Sequence, residues 1–521
     1  MAIIVSVSPI VKNGLWGPFP RAAALTQEAV KNDDFAGKRQ NKNDDFGVKW
    51  QNKNDDFGEK AVDENDDFGY NQIKEELQTM FKRKIYDRLL QWKKESNGRT
   101  ALLLEGPRRV GKSTVVENFG KNEYKSYLLI DFSVASQAVK DLFYDLSDLN
   151  FFFLQLQLYC RADLTERDSL IIFDEVQLFP PARQAIKALV KDGRYDYIET
   201  GSLISIKKNV KDILIPSEER RISMYPMDYE EFLWALGDRN TFSLLKTLFE
   251  NRRPAGEALN RKLMRDFRLY MLIGGMPQAV DEYLNSNNFK MVDAVKRDIL
   301  NLYEDDFRKI DQTGKLSLLF DSIPAELNKN ASRYQVSSVL ANERADSILE
   351  EIAQLADSKT VIAAYHANDP GAGMANHKDL GKFKLFLADT GLFTTLVFKD
   401  RDFTENSIYE KLLSDKLPAN LGYLYENAVA QMLTASGNEL FYYTFRNEKT
   451  KHNYEIDFLL SRKNKICPIE VKSSGYKTHA SLDRFSEKYS DRILNRYLVY
   501  TKDLQKDRDI LMLPLYMVPF L

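Results

Sequence analysis

Gly106, Gly111, Lys112 and Ser113 are spaced as G-x-x-x-x-G-K-[ST] in the stretch GPRRVGKS. The chemistry of that spacing is phosphate binding. The glycines let the backbone curl so that successive N–H groups point inward at phosphate oxygens. The N-terminus of a following helix, opening near Thr114, adds a favourable dipole. Lys112 is placed to reach the β- and γ-phosphates of ATP, and the Ser113 hydroxyl to ligate Mg²⁺. Arg108 and Arg109 lie inside the loop and are further candidates for phosphate contact.

A second stretch supplies the other half of such a site. Ser169-Leu-Ile-Ile-Phe-Asp174-Glu175 is an apolar run ending in two carboxylates. Asp174 would hold the Mg²⁺ shell and Glu175 would polarise the attacking water. An Asp-Glu after a strand is ordinarily a solvated loop, but a P-loop upstream gives this one a partner. In P-loop ATPases of this kind a polar residue at the end of the next strand senses the γ-phosphate, and Thr200 or Ser202 fits. Arg220 and Arg221 are read in two ways: an arginine that stabilises transition-state charge, or a surface basic pair.

The elements that must position these groups are legible in the pattern. Ala101–Leu104 is an unbroken apolar run, expected as a strand buried on both faces. Strands are expected at 124–132 and 195–199, and a helix over 73–94, with Leu77, Phe81, Ile85, Leu89 and Trp92 on one face. Residues 141–159 have helical spacing and are Phe-rich, as core helices are. From Asp228 to about Phe320 the pattern is helical, broken at Gly274-Gly275-Met276-Pro277. Asp305, Asp306 and Arg308 read there as a solvated helix face. Residues 330–365 read as helix, turn, helix and strand, the spacing of a winged helix. The second of those helices, SILEEIAQLADS, carries no Lys or Arg, which disfavours phosphate contact. Lys384–Leu392 reads as a strand and turn.

Near the C-terminus the order is a helix with Glu426, a strand with Asp457, a hairpin at Lys463-Asn464 and a strand ending Glu470-Val471-Lys472. This order resembles the PD-(D/E)xK nuclease pattern. Asp457 and Glu470 on adjacent strands can share one Mg²⁺, and Glu426 can complete its shell. Lys472 shares the face of Glu470 and could orient a water against a scissile phosphate. Ser473, Ser474 and Lys477 just beyond could hold phosphate.

Together GPRRVGKST, IIFDEVQ, TGS, RRISMYPMDYEEFL and GGMPQAV make the chain, from about Met80 onward, similar to prokaryotic AAA-type P-loop ATPases with a nuclease-like C-terminal domain of unknown function. The resemblance implies an α/β multidomain architecture: a P-loop parallel-sheet ATPase core (80–227), a helical lid (228–325), a winged-helix-like region (326–400) and a restriction-endonuclease-like α/β domain (401–521). It implies ATP and Mg²⁺ as ligands. The expected function is ATP hydrolysis coupled to a nuclease-like domain acting on DNA or RNA. The alternative is a non-nucleolytic ATP-dependent switch whose C-terminal domain docks a partner.

The totals bound these readings. The chain has 521 residues, enough for several domains, and a net charge of −2, so any nucleic-acid binding must come from a local patch. Two cysteines far apart exclude a disulfide framework, and four scattered histidines without C-x-x-C argue against zinc. No apolar run reaches the ~18 residues of a spanning helix, so a cytoplasmic protein without membrane association is expected; self-association into rings, common among AAA-type ATPases, is left open. Asn-Asp-Asp-Phe recurs at Asn32, Asn43, Asn54 and Asn65. These units are too polar to offset the entropy of ordering, so 1–79 is expected to be a disordered repeat extension. Met80 is a candidate translation start.

Overall fold

The computed structural model describes residues 80–201, 217–329, 331–400, 406–414, 422–447 and 453–521. The Asn-Asp-Asp-Phe repeats and Ser202 lie outside the described residues.

The first described helix, α1 (Ile85–Ser96), begins after a turn at Lys84; residues 73–79 of the helix expected over 73–94 lie outside the described residues. It leads into β1 (Ala101–Glu105), the P-loop and α2 (Lys112–Glu123). Then come β2 (Ser126–Asp131), β3 (Ser169–Asp174), β4 (Asp196–Gly201) and β5 (Glu219–Ser223). These five strands form one parallel sheet in the order β2-β3-β4-β1-β5. Side chains of a strand alternate between faces, and β1 shows why its run is apolar throughout. Leu102 and Leu104 join Leu89, Trp92, Val116 and Phe119 on one face. Ala101 and Leu103 join Phe152, Phe153, Ile186 and Leu189 on the other. The Phe-rich stretch is core on one face only: Phe143, Phe152, Phe153 and Leu156 are buried, while Tyr144, Phe151, Leu154, Leu158 and Tyr159 are exposed. Asp148 restarts it, its carboxylate capping the helix Leu149–Cys160 by accepting from the N–H of Asn150 and Phe151.

Helices follow: α3 (Glu257–Ile273), α4 (Pro277–Ser286) and α5 (Phe289–Ile310), with the Gly-Gly-Met-Pro break between the first two. The region expected as a winged helix has a helix, a turn, a second helix and then two antiparallel strands. Its first helix is a single turn, Val336–Val339, and its strands β6 (Val361–Ala367) and β7 (Lys378–Leu387) belong to the next sheet. After β7 the chain forms α6 (Thr390–Val397) where a turn was expected, and later α7 (Gly422–Ala435). The remaining strands are β8 (Phe441–Arg446), β9 (Asn453–Arg462), β10 (Lys465–Lys472), β11 (Arg496–Tyr500), β12 (Gln505–Asp507) and β13 (Ile510–Pro514). The mixed sheet runs β12-β13-β11-β10-β9-β8-β6-β7.

Strands from either side of residue 400 share this sheet, because β6 pairs in parallel with β8 at Tyr365–Phe441. The reason is shared burial. Phe267 and Ile299 of the helices, Leu385 and Leu387 of β7, Val429 and Leu433 of α7 and Val518 near the C-terminus lie in one continuous core.

Candidate active site

Parallel order brings the C-terminal ends of β1, β3 and β4 together, and the chemistry gathers there. Gly111 has φ 95°, in the left-handed region. A Cβ on Gly106 would lie 2.4 Å from the carbonyl oxygen of Met224, so only glycine fits where the loop passes β5. The buried Lys112 ammonium donates to the carbonyls of Gly106 at 3.0 Å and Pro107 at 2.9 Å, which holds the loop curled. Burial pulls its pKa down to about 8, opposed by the carboxylates of Glu175 and Asp174. Thr114 is exposed in the first turn of α2, and Arg109 sits in the loop with φ 66°.

One oxygen, Asp174 Oδ1, collects the donors. Ser113 Oγ donates to it at 3.0 Å, Thr200 Oγ1 donates to it, and the Glu175 N–H does so at 3.1 Å. The hydroxyl and carboxylate of Ser113 and Asp174 form a hard-oxygen pair of the kind Mg²⁺ takes; these two would hold the ion. Glu175 has φ 51° and accepts from the Gln177 amide, and burial beside Asp174 raises its pKa above the ordinary glutamate value.

Residues that motif reading missed brace the loop. Arg83, 5% exposed, donates to the Val110 carbonyl at 3.0 Å and the Tyr225 carbonyl at 2.6 Å, and pairs with Glu231 at 3.2 Å. Only long-range contacts reveal it, so no local signal marks it. Arg108 pairs with Asp306 of α5 at 3.1 Å, and Tyr303 donates to the Arg108 carbonyl at 3.2 Å. The acidic face of α5 is thus not wholly solvated. Arg220 and Arg221 stand exposed on β5 opposite Leu102 and Leu103, pairing with Glu95 and Glu219.

The C-terminal residues line a separate pocket of about 250 Å³ with Glu326, Lys384, Glu426, Glu455, Asp457 and Glu470 on its walls. Ile469 pairs with Phe458, so Asp457 and Glu470 come next on adjacent strands. Asp457 Oδ2 accepts the Val471 N–H at 2.8 Å, and Glu470 pairs with Lys472 at 3.2 Å. Lys472 also donates to the Thr478 carbonyl. Burial raises the pKa of Asp457, Glu426 and Glu470 alike. Glu426, Asp457 and Glu470, the residues expected as a metal shell, line this one pocket, while among the described residues no group of three or more His, Cys, Asp or Glu is placed to hold a metal ion. Glu426 faces Lys384, Oε2 to Nζ 4.0 Å, and Lys384 is ion-paired with Glu455. Cys160 and Cys467 are buried and free. Among the described residues no helix is long and apolar enough to cross a membrane.

Residues 98–233 match the model of an AAA domain. The chain carries an AAA-type P-loop ATPase domain, and the Ser113–Asp174–Thr200 geometry sits inside it. Residues 264–402 match a domain of unknown function, DUF8612, and residues 421–518 another, DUF4143. Among solved structures, the chain is similar to a Walker-type ATPase of Pyrococcus abyssi (17% identity, TM-score 0.36, 61% of this chain and 97% of that one). It is also similar to the Aeropyrum pernix ORC1 protein in complex with DNA (11% identity, TM-score 0.25, 63% of this chain and 91% of that one), and to C. elegans PCH-2 (12% identity, TM-score 0.25, 44% and 72%). No curated protein matches this chain.

Proposed function

We propose that the chain is an ATP-driven switch: ATP binds and is hydrolysed at the P-loop, and the nucleotide state is conveyed through the helices to the C-terminal α/β region, which docks a partner. The single observation that carries the catalytic half is the convergence of Ser113, Thr200 and the Glu175 N–H on one oxygen of Asp174. Mg²⁺, when bound there, would supply charge neutralisation for the phosphates. The chain's own residues do the rest. Lys112 trades two loop carbonyls for phosphate oxygens, the loop N–H groups orient the phosphates, Thr200 stands as the γ-phosphate sensor, and Glu175 takes a proton from the attacking water. Arg109 and Thr114 border the phosphate path.

The conveying half is supported by the contact of Arg108 with Asp306 and Tyr303, since a helix held by the P-loop responds when phosphate rearranges the loop. ATP turnover by the purified chain, abolished in Lys112→Ala, tests the site; retained turnover in that variant would overturn it.

A second reading, cleavage of DNA or RNA by the C-terminal region, is favoured by the adjacency of Asp457 and Glu470 with Lys472 two residues on. Plasmid, linear and single-stranded DNA, and RNA, incubated with Mg²⁺ or Mn²⁺ and with or without ATP, decide between the two. Cleavage lost in Asp457→Ala would select the nuclease; intact substrates alongside ATP turnover would select the docking switch.

A further inference from the structure

The carboxylates of the C-terminal pocket already have a cation, and it comes from outside the nuclease-like motif. Lys384 stands on β7 and is 8% exposed. The sheet carries it there: Lys384 pairs with Ala364 of β6, β6 pairs with β8 through Tyr365 and Phe441, and Thr444 of β8 pairs with Glu455. Its ammonium is ion-paired with Glu455 and 4.0 Å from Glu426 Oε2, and Asp457 is the third carboxylate in its field. Lys472, the lysine that the motif would use, pairs with Glu470 and donates to the Thr478 carbonyl.

Mg²⁺ demands oxygens at roughly 2.0–2.1 Å in near-octahedral array. A divalent ion among Glu426, Glu455 and Asp457 would lie close to the ammonium and be repelled by it. Lys384 cannot swing out to water cheaply, because it is buried and its departure would leave these carboxylates unneutralised. The residues present therefore do not fit a metal shell, in keeping with the lack of a three-ligand group among the described residues.

We propose that the Lys384 ammonium is the resident cation of this pocket, standing where a divalent ion would neutralise Glu426, Glu455 and Asp457, so that the pocket takes up no Mg²⁺ or Mn²⁺ while Lys384 is in place. The chemistry left to the region is docking through a charge-balanced pocket, with Arg333 on its wall as a second cation. The claim deepens the switch reading, yet it is tested without nucleotide and so fails or stands separately from ATP hydrolysis.

The test is Mn²⁺ binding by the nucleotide-free full chain, followed by electron paramagnetic resonance. The wild type and Asp457→Asn are expected to bind Mn²⁺ identically. Lys384→Met is expected to gain one site at least tenfold tighter than any in the wild type, and Lys384→Met with Asp457→Asn to lose it. A wild-type site that Asp457→Asn removes would overturn the proposal. So would a Lys384→Met protein with wild-type circular dichroism and no added site. If Lys384→Met does not fold, the comparison of wild type with Asp457→Asn still decides, since it needs no change at Lys384.

Discussion

Asp389 accepts the backbone N–H of Gly275 at 2.6 Å across 114 residues of chain. Its other oxygen accepts the Leu392 N–H at 2.8 Å and so caps α6. The approach is close enough that a Cβ on Gly274 would lie 2.3 Å from Asp389 Oδ1. On the far side of the same break, the Pro277 ring lies 3.6 Å from where a Gly111 Cβ would stand. One Gly-Gly-Met-Pro segment therefore passes beside the P-loop and is hydrogen-bonded to the start of α6. Gln431 of α7 continues the path, accepting from the Thr390 N–H and donating to Tyr270, which donates to Met227.

The first prediction tests that link. Asp389→Asn keeps the shape but faces one buried N–H with an NH₂ group instead of an acceptor. A buried donor left unsatisfied costs about 1–3 kcal/mol. A lower urea midpoint with an unchanged slope is the expected outcome. Nucleotide binding, measured separately, should be retained, because Asp389 does not reach the phosphate site.

The second prediction separates binding from chemistry. Lys112→Ala should lose ATP binding and turnover together. Glu175→Gln should keep binding and lose turnover by about 10²–10⁴-fold, the usual share of a general base. Fluorescent-nucleotide titration beside phosphate release measures both. Equal loss of binding in the two variants would reassign Glu175 to a structural role.

Much of the ATPase half was legible in the sequence because its chemistry is local. The P-loop spacing requires a strand before it and a helix after it, and Asp174 ends an apolar run that has few other uses. The helical stretch after Asp228 was equally plain from periodicity. What could not be read was pairing across distance. Nothing near Arg83 says that it grips Val110, and nothing near Lys384 says that it meets Glu455. The sheet that the strand after the second helix joins was unreadable for the same reason: a helix, a turn and a strand look alike whether the strand closes a small wing or extends a large sheet. Partnership with β8 decided it, and that is set by a core made of residues far apart in sequence.

The third prediction is a pH dependence. In the nucleotide-free protein Lys112 has a pKa of about 8, lowered chiefly by burial. Phosphate at the loop favours the ammonium form, so ATP binding above pH 8 must take up a proton. The sign follows: affinity is flat below the pKa and falls as pH rises through it, by up to about tenfold per pH unit. Titrations from pH 6.5 to 9.5 check this. Affinity that rises with pH would mean that another group controls binding.

The last prediction concerns Arg83 and Glu231, whose side chains are only 5% and 6% exposed. Breaking a buried pair leaves a charge without compensation, at a cost of about 3–5 kcal/mol. Glu231→Ala should therefore destabilise the protein strongly, the more so because Glu231 also accepts the Lys84 N–H at 2.6 Å and completes a capping box with Asp228. Replacing both charges, as in Arg83→Met with Glu231→Leu, removes the uncompensated charge and should recover part of that stability. It should not recover function. Arg83 also holds the Val110 carbonyl one residue before Gly111, and methionine cannot donate to it. A raised KM for ATP is thus expected in the double variant even where stability returns. Denaturant unfolding and steady-state kinetics on the same samples separate the two effects. If KM returns with stability, Arg83 serves the fold alone.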